Sequence, residues 1–405
     1  MNTGDTAFLL ISTALVMLMT PGLALFYGGL VRNKNVLGTI MHSFISLGLV
    51  TIVWVLWGYS FSFGTDIGGV IGGLDFLGLK GVSMEPGPFA DTIPHLVFMV
   101  FQCMFAITTP ALIVGTFAER IKFKAFLLFT FLWATFVYTP LAHWVWGGGW
   151  LGQLGALDFA GGAVVHMSSG FSALAAVLII GRRRGYGIRA YIPHNLPLTI
   201  LGAGLLWFGW FGFNAGSALA ANGLAANAFV TTHIAAAAAA LPWLFVEWSH
   251  RGKPTTLGAA SGAVAGLVVI TPGAGFVGPM AALIIGALGG AICYGGVLFK
   301  EKLRYDDALD VVGIHGLGGI WGALATGFFA SKAINPNGAD GLFFGNPGQL
   351  WIQFISIVAT VLFVFIMSLI ILKLIDMTVG LRVTEEDEIQ GLDLSQHSET
   401  GYSIS

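Results

Sequence analysis

Charged residues are scarce in this chain of 405 residues. Asp, Glu, Lys and Arg make up 9% of it, against about 25% in an average soluble domain. Hydrophobic residues account for 56%, which leaves few polar side chains to cover the surface of a water-soluble protein. With a net charge of −2, nothing in the composition suggests a nucleic-acid surface, which would need clustered basic residues. The composition therefore predicts a protein embedded in membrane lipid, without a nucleic-acid partner.

Patterns typical of metal sites and hydrolases are also missing. Cys103 and Cys293 lie in apolar runs, without a second cysteine or a histidine at metal-ligand spacing. Neither HExxH nor GxSxG occurs. GAGFVG at 273–278 matches a dinucleotide fingerprint, but it follows an apolar run and no βαβ unit surrounds it. We therefore predict that the protein is not an enzyme and holds no metal or cofactor.

Apolar runs of about 20 residues, enough to cross a hydrocarbon core of about 30 Å, recur along the chain. The first of them lacks a preceding basic segment, so we interpret it as a retained helix rather than a signal peptide. We predict an all-α membrane protein with eleven transmembrane helices, at about 7–31, 38–62, 92–117, 122–144, 159–180, 194–214, 226–248, 256–272, 279–299, 310–330 and 350–376.

The basic residues test this division independently. Sixteen of the 18 Lys and Arg residues follow odd-numbered spans, and only Lys80 and Lys332 fall on the other side. Basic residues accumulate on the cytoplasmic side of membrane proteins. The N-terminus is therefore predicted outside and the C-terminus inside the cell.

Eleven spans divide into five, five and one. DFAGGAVVH opens span 5 and DVVGIH opens span 10, and each places a carboxylate before a histidine. This similarity indicates two repeats of opposite orientation, with binding between the halves near the midplane. We assign 1–377 to a transmembrane domain and 378–405 to a cytoplasmic tail. Within the domain, repeat one covers about 7–181, repeat two about 194–331, and the last span about 350–377.

Two histidines are the first candidates for chemistry. His166 and His315 are each followed at helical spacing by small residues, against which another helix can pack closely. Each ring is either satisfied by a neighbouring helix or part of a joint site, and helix counting does not show that the two rings meet. Asp158 either caps the start of span 5 or binds a cation, and we favour the cap. Asp310 is predicted to cap span 10.

Aromatic residues are the next candidates. Phe101 and Phe105 are four residues apart in span 3, and WFGWFGFNAGS carries Phe213 and Ser217. Trp146 lies in the loop between spans 4 and 5. Aromatic faces attract cations, although these residues are equally suited to packing and to the membrane interface.

Five segments together resemble the Amt branch of the Amt/Rh ammonium transporter family. They are AHWVWGGGW, DFAGGAVVHMSSG, WFGWFGFNAGSA, VVGIHGLGGIWG and the tail GLRVTEEDEIQGLDLSQH. The resemblance extends from span 1 to the tail. It implies an eleven-helix inverted repeat in the plasma membrane, assembled as a homotrimer with one pore per subunit.

The resemblance also implies roles for individual residues. His166 and His315 match twin histidines that are hydrogen-bonded to each other in the pore. Phe105 and Phe213 match stacked rings that close its outer end. Three further residues match the outer cation site, and an aspartate supports it: Phe101, Trp146, Ser217 and Asp158.

The mechanism implied is ammonium transport for nitrogen uptake. Ammonium is selected outside and deprotonated, ammonia passes the histidines, and the proton follows separately, so that transport is electrogenic. Two alternatives stay open: a sensor that binds ammonium with little flux, and an electroneutral channel for ammonia gas.

The acidic tail is either a solvated extension or a regulatory element. Its resemblance to the family tail implies that it packs on the cytoplasmic face and couples subunits, with a PII-type signalling protein as partner. The regulatory candidates are Glu385, Gly391 and Asp393.

Overall fold

The structure is a computed structural model that describes residues 1–402, so the last three residues of the predicted tail lie outside the described residues. Within this range, ten helices are long and apolar enough to cross a membrane. One further apolar helix is shorter. In chain order these helices are α1 (Thr3–Leu30), α2 (Asn33–Phe63), α3 (His95–Phe117), α4 (Phe123–Leu154), α5 (Gly162–Ile180), α6 (Leu196–Gly216), α7 (Gly223–Arg251), α8 (Thr256–Ile270), α9 (Pro279–Leu303), α10 (Val312–Phe329) and α11 (Pro347–Thr378).

The shorter helix is α8, which occupies the eighth predicted span. It has 15 residues and ends at Ile270, whereas a crossing of the hydrocarbon core takes about 20. Pro272 follows two residues later. Proline has no backbone N–H to donate, and residues 271–276 around it form turns instead of a further helical turn.

Short elements lie outside the long helices. In the segment 64–94, β1 (Asp66–Ile67) pairs antiparallel with β2 (Ile71–Gly72), and β3 (Pro86–Gly87) pairs with β4 (Ala90–Pro94). The predicted all-α class therefore omits two small hairpins. Residues 147–149 interrupt α4 before its last turn. The tail contains α12 (Glu385–Gln390) and α13 (Leu392–His397).

Helices α1 and α6 pack against each other in antiparallel orientation through glycine. Gly29, at the end of α1, lies against Thr199, near the start of α6. Gly209 lies against Met19 in the same arrangement. A Cβ on Gly202 would lie 2.3 Å from the Phe26 nitrogen. Lipid tails are as apolar as leucine, so close backbone packing of this kind, rather than the hydrophobic effect, holds helices together in a membrane.

Helices α5 and α10 show the same relation at the centre of the bundle. Gly170 in α5 touches Gly316 in α10, where an added Cβ would lie 2.2 Å from the Gly316 nitrogen. Both helices begin with a π-helical turn, at Gly162–Met167 and at Val312–Leu317. Such turns are rare and occur frequently at functional sites. Each of these two turns carries one of the candidate histidines.

An ion network joins several helix ends at the face that also holds the tail. Arg120 and Arg183 both pair with Asp306, at 3.1 and 2.8 Å. Arg183 and Arg32 pair with Glu119, at 3.3 and 2.9 Å. Burial raises the pKa of Glu119, but the hydrogen bond from Arg32 and the charge of Arg183 outweigh it and hold that pKa below its usual range. The ends of α1, α3 and α5 therefore lie together at this face.

The glycine contact yields a first prediction. Gly170→Ala should lower the stability of the protein, because the new Cβ would overlap the backbone of Gly316. Overpacking of this kind costs about 1–3 kcal/mol. Gly204→Ala in α6 is the matched control, since nothing lies within 4 Å of its Cβ position. Thermal unfolding in detergent should give a lower Tm for Gly170→Ala alone, and equal Tm values would contradict the packing argument.

Candidate functional site

A cavity of about 290 Å³ lies between α3, the end of α4 and the end of α6. Three of the predicted site residues line it: Phe105, Trp146 and Ser217. The wall is mostly aromatic, and sequence reasoning missed several of its members: Phe63, Phe89, Phe98, Gln102 and Phe159. The sequence spacing could have identified two of them. One face of a helix carries residues that are three or four positions apart, as are Phe98, Gln102 and Phe105.

The polar atoms of the cavity wall are few and held in place. The Trp146 indole N–H donates to the Asp158 carbonyl at 2.9 Å. The Ser217 hydroxyl donates to the Phe213 carbonyl at 2.8 Å, so its oxygen retains lone pairs that can accept a hydrogen bond. The aromatic wall therefore offers cation-attracting faces together with a hydrogen-bond acceptor.

Phe101 is placed differently from the other predicted residues of the outer site. Its ring is fully buried and lies 5.0 Å from that of Phe105, with an edge-on orientation. A Cβ on Gly216 would lie 2.8 Å from the Phe101 ring. Phe101 thus supports Phe105 from behind and is not among the residues that line the cavity.

The carboxylate of Asp158 is occupied by backbone donors. One oxygen accepts from Gly161 at 2.8 Å and Gly162 at 2.6 Å, and the other from Ala163 at 2.7 Å and Val164 at 3.3 Å. These N–H groups belong to the first turn of α5, which has no helical acceptors of its own. The geometry matches the cap that we favoured over direct cation binding.

The counterpart of Asp158 in the second half is Asp307, which sequence reasoning missed. Its side chain accepts from the Val312 N–H at 2.7 Å and from the Thr116 hydroxyl at 3.0 Å. The prediction that Asp310 caps α10 was wrong, because its carboxylate pairs with Lys300 instead. Burial raises the pKa of Asp307, although the nearby Lys300 charge opposes this. The sequence does contain a pattern that points to Asp307, because Asp158 and Asp307 each precede their histidine by eight residues.

The rings of His166 and His315 lie side by side in the interior. Their Nδ1 atoms are 3.3 Å apart and the ring centroids 5.3 Å apart. Both side chains are buried, and each ring nitrogen can donate or accept, but not both at once. One ring therefore donates to the other through a single hydrogen between the two Nδ1 atoms. His166 Nε2 has no hydrogen-bond partner within residues 1–402.

Aromatic contacts connect the cavity to this pair. The rings of Phe105 and Phe213 are 4.3 Å apart, and the Phe213 ring lies 6.2 Å from that of His166. Trp210 stacks on His166 from another direction at 5.4 Å. All of these side chains are buried. Buried aromatic rings therefore lead from the cavity to the two imidazoles.

The predicted regulatory residues lie in the docked tail. Gly391 has a φ of 105°, and a Cβ there would lie 2.6 Å from Lys34. Asp393 accepts the Gly38 N–H at 2.8 Å, and burial raises its pKa. Glu385 is exposed and pairs with Arg184 at 2.9 Å.

A second buried carboxylate of the tail is Glu388, which sequence reasoning did not select. It pairs with Arg382 at 2.6 Å, and Arg382 also donates to the Ile180 carbonyl at the end of α5 at 3.1 Å. Arg382 forms an isolated antiparallel bridge with Ile121, in the turn between α3 and α4. The tail is therefore hydrogen-bonded to the transmembrane bundle at several points.

Comparisons with known proteins agree with this geometry. The sequence profile of the Ammonium Transporter Family matches residues 7–402. The chain is 56% identical over 406 residues to the ammonium transporter of Bacillus subtilis, with 100% of both chains covered. It is 51% identical over 403 residues to ammonium transporter Amt1 of Archaeoglobus fulgidus, again with 100% of both covered.

A solved structure gives the same result. The crystal structure of Saccharomyces cerevisiae Mep2 superposes with a TM-score of 0.89 at 36% identity, covering 95% of this chain and 88% of that one. A match over nearly the whole length, in sequence and in fold, does not arise from a shared module alone. The chain belongs to the ammonium transporter family, and it transports ammonium across a membrane.

Proposed function

We propose that the protein recognises ammonium in the outer cavity and conducts it as neutral ammonia past His166 and His315. The observation that carries this proposal is the buried passage from Phe105 and Phe213 to the two imidazoles, whose Nδ1 atoms are 3.3 Å apart. A monovalent cation without its water has a high free energy in such a passage. Ammonium avoids this cost by releasing a proton, whereas potassium has none to release.

Recognition in the cavity combines two interactions. The faces of Trp146 and Phe105 attract a cation, each by about 0.5–2 kcal/mol. Ser217 accepts a hydrogen bond from an ammonium N–H. Potassium is attracted by the same rings but donates no hydrogen bond, so the hydroxyl favours ammonium.

The histidine pair supports passage of ammonia and a separate route for the proton. An imidazole accepts a proton at one nitrogen while it donates from the other. The shared hydrogen between the two Nδ1 atoms provides one link of such a route. When the proton crosses as well as ammonia, each cycle carries a net positive charge and transport is electrogenic.

The membrane arrangement proposed is eleven spans, with two inverted halves, the N-terminus outside and the tail in the cytoplasm of the cell. Counterpart helices support the inverted halves, since α1 packs antiparallel to α6 and α5 to α10. The equal interval from Asp158 and Asp307 to their histidines supports it too. α8, although short, counts as a span in this arrangement because it connects α7 with α9. We also propose assembly as a homotrimer in the plasma membrane, on the family resemblance.

We further propose that a PII-type signalling protein binds the cytoplasmic face when nitrogen is plentiful. The docked tail supports this, because its buried contacts through Glu388 and Asp393 give that face a defined shape. A rigid surface loses little conformational entropy when a partner binds.

An ammonium pulse applied to proteoliposomes should produce a transient current, because a charge crosses with each ammonia. A potassium pulse of equal size should produce none. The measurement is solid-supported membrane electrophysiology with an internal pH dye. A pH change without current would instead identify an electroneutral gas channel, and neither signal would identify a sensor with little flux.

Replacement of both imidazoles should impair selectivity. The double variant His166→Asp and His315→Ala replaces two neutral imidazoles with one carboxylate. The negative charge stabilises cations in the passage that have not released a proton. We expect a smaller ammonium current or a new potassium current in the same liposomes. His233→Ala is the control, because His233 is exposed on α7. Unchanged ammonium current with intact selectivity in the double variant would contradict the role of the pair.

Binding of a PII protein should depend on the docked tail. We expect capture of a purified PII protein by the wild type at some combination of ATP, ADP and 2-oxoglutarate. Asp393→Ala should weaken it, since that variant loses the hydrogen bond to the Gly38 N–H. Glu386→Ala is the control, because Glu386 is exposed. Absence of binding under every condition would count against this partner.

A further inference from the structure

His143 is a buried imidazole that the proposed conduction path does not use. It lies near the end of α4 with a side chain that is 0% exposed. Its Nδ1 lies 3.0 Å from the Ser62 carbonyl oxygen, and its Nε2 lies 2.9 Å from a carboxylate oxygen of Asp66. Neither a carbonyl nor an ionised carboxylate carries a hydrogen, so both ring nitrogens must donate. A ring with two N–H groups is an imidazolium.

The ionised state of Asp66 is supported by its own surroundings. The hydrogen bond from His143 and the N–H of Gly69 hold the pKa of Asp66 below its usual range, despite a smaller opposing effect of desolvation. Because this pKa is lowered, the Asp66 carboxylate stays ionised at pH values above it and is protonated only as the pH falls through the lowered pKa. Asp66 is therefore an anion at neutral pH.

No other charged side chain of the outer segment replaces Asp66 as the partner. Among the described residues, the other charged groups of segment 64–94 form no hydrogen bond or ion pair with His143: Asp75, Lys80, Glu85 and Asp91. On the side of α4, Gln153 contributes an uncharged hydrogen bond to Asp66. Asp66 is thus the counter-ion of a buried cation.

The pair connects two walls of the outer cavity. Ser62 directly precedes Phe63, and His143 precedes Trp146 by three residues; Phe63 and Trp146 both line the cavity. The chain after α4 folds back on the same region, with the Gly149 N–H donating to the His143 carbonyl at 2.9 Å. The Trp150 N–H donates to the Gly69 carbonyl at 3.0 Å.

We propose that His143 and Asp66 act as a positioning pair for the outer ammonium site, in which Asp66 neutralises an imidazolium that would otherwise oppose a bound cation. This inference rests on the proposed recognition of ammonium in the outer cavity. Removal of one partner from a charged pair leaves the other uncompensated. Without Asp66, the ring either keeps its charge and repels ammonium or loses a proton together with its link to the β1–β2 hairpin.

The test compares Asp66→Asn with Asp91→Asn, since both remove one negative charge from the same outer segment. Ammonium-dependent currents are measured over a range of ammonium concentrations at constant pH. For Asp66→Asn we expect the half-saturating ammonium concentration to rise about three- to tenfold, as for loss of about 1 kcal/mol of binding, with the maximal current retained.

Asp91→Asn should behave as the wild type. Equal half-saturating concentrations for the two variants would overturn the proposal, because bulk surface charge would then explain any change.

A second readout does not depend on transport. Nitrogen-15 NMR of protein with labelled histidines distinguishes an imidazolium from either neutral tautomer. We expect one signal that Asp66→Asn shifts and Asp91→Asn leaves in place, and it should show two protonated nitrogens at neutral pH. A neutral ring in the wild type, or no shifted signal, would overturn the pair even if ammonium currents are normal. Absence of current from the wild type would instead reject the proposed conduction while the spectrum still reports the pair.

Discussion

The contact of Gly170 with Gly316 determines the geometry of the whole interior. Two helix backbones touch there without side chains between them, at a distance that leaves no room for a methyl group. The π-helical turn before Gly170 carries His166, and the turn that contains Gly316 carries His315, so the same approach brings the two rings within hydrogen-bond distance. Any residue larger than glycine at position 170 would separate the helices and with them the imidazoles.

Much of the fold was predictable because lipid restricts what a chain can do. A backbone in hydrocarbon must satisfy its hydrogen bonds internally, so apolar runs of sufficient length become helices. The hairpins of segment 64–94 were not predicted because they lie between the apolar runs, where this requirement does not determine the structure. The helix α8 ends at Ile270, two residues before the predicted end of its span, and the chain forms turns around Pro272.

The candidate site was less predictable, for a physical reason. When span 5 is assumed to begin at the membrane surface, His166 lies near its outer end and far from His315. In the structure the chain at 158–161 is not helical and, apart from the half-buried Phe159, is buried, and α5 begins only at Gly162. The Asp158 carboxylate makes this possible, because it satisfies four N–H groups that water cannot reach. The capping role of Asp307 could have been predicted from the sequence, because Asp307 precedes His315 by the same eight residues that separate Asp158 from His166.

The distribution of charge explains why such a passage favours a neutral species. Within residues 1–402, the ion pairs lie among the helix ends and loops, as in the Asp306 and Glu119 network and in the pair of Asp66 with His143. Between Phe105 and His315 the contacts are aromatic, and the Asp158 carboxylate at the start of α5 already accepts four hydrogen bonds. A cation that entered this region would lose its water and meet no free counter-charge. In the conduction proposed above, selection by charge therefore belongs to the outer cavity, and the passage beyond it discriminates by whether a species can give up its proton.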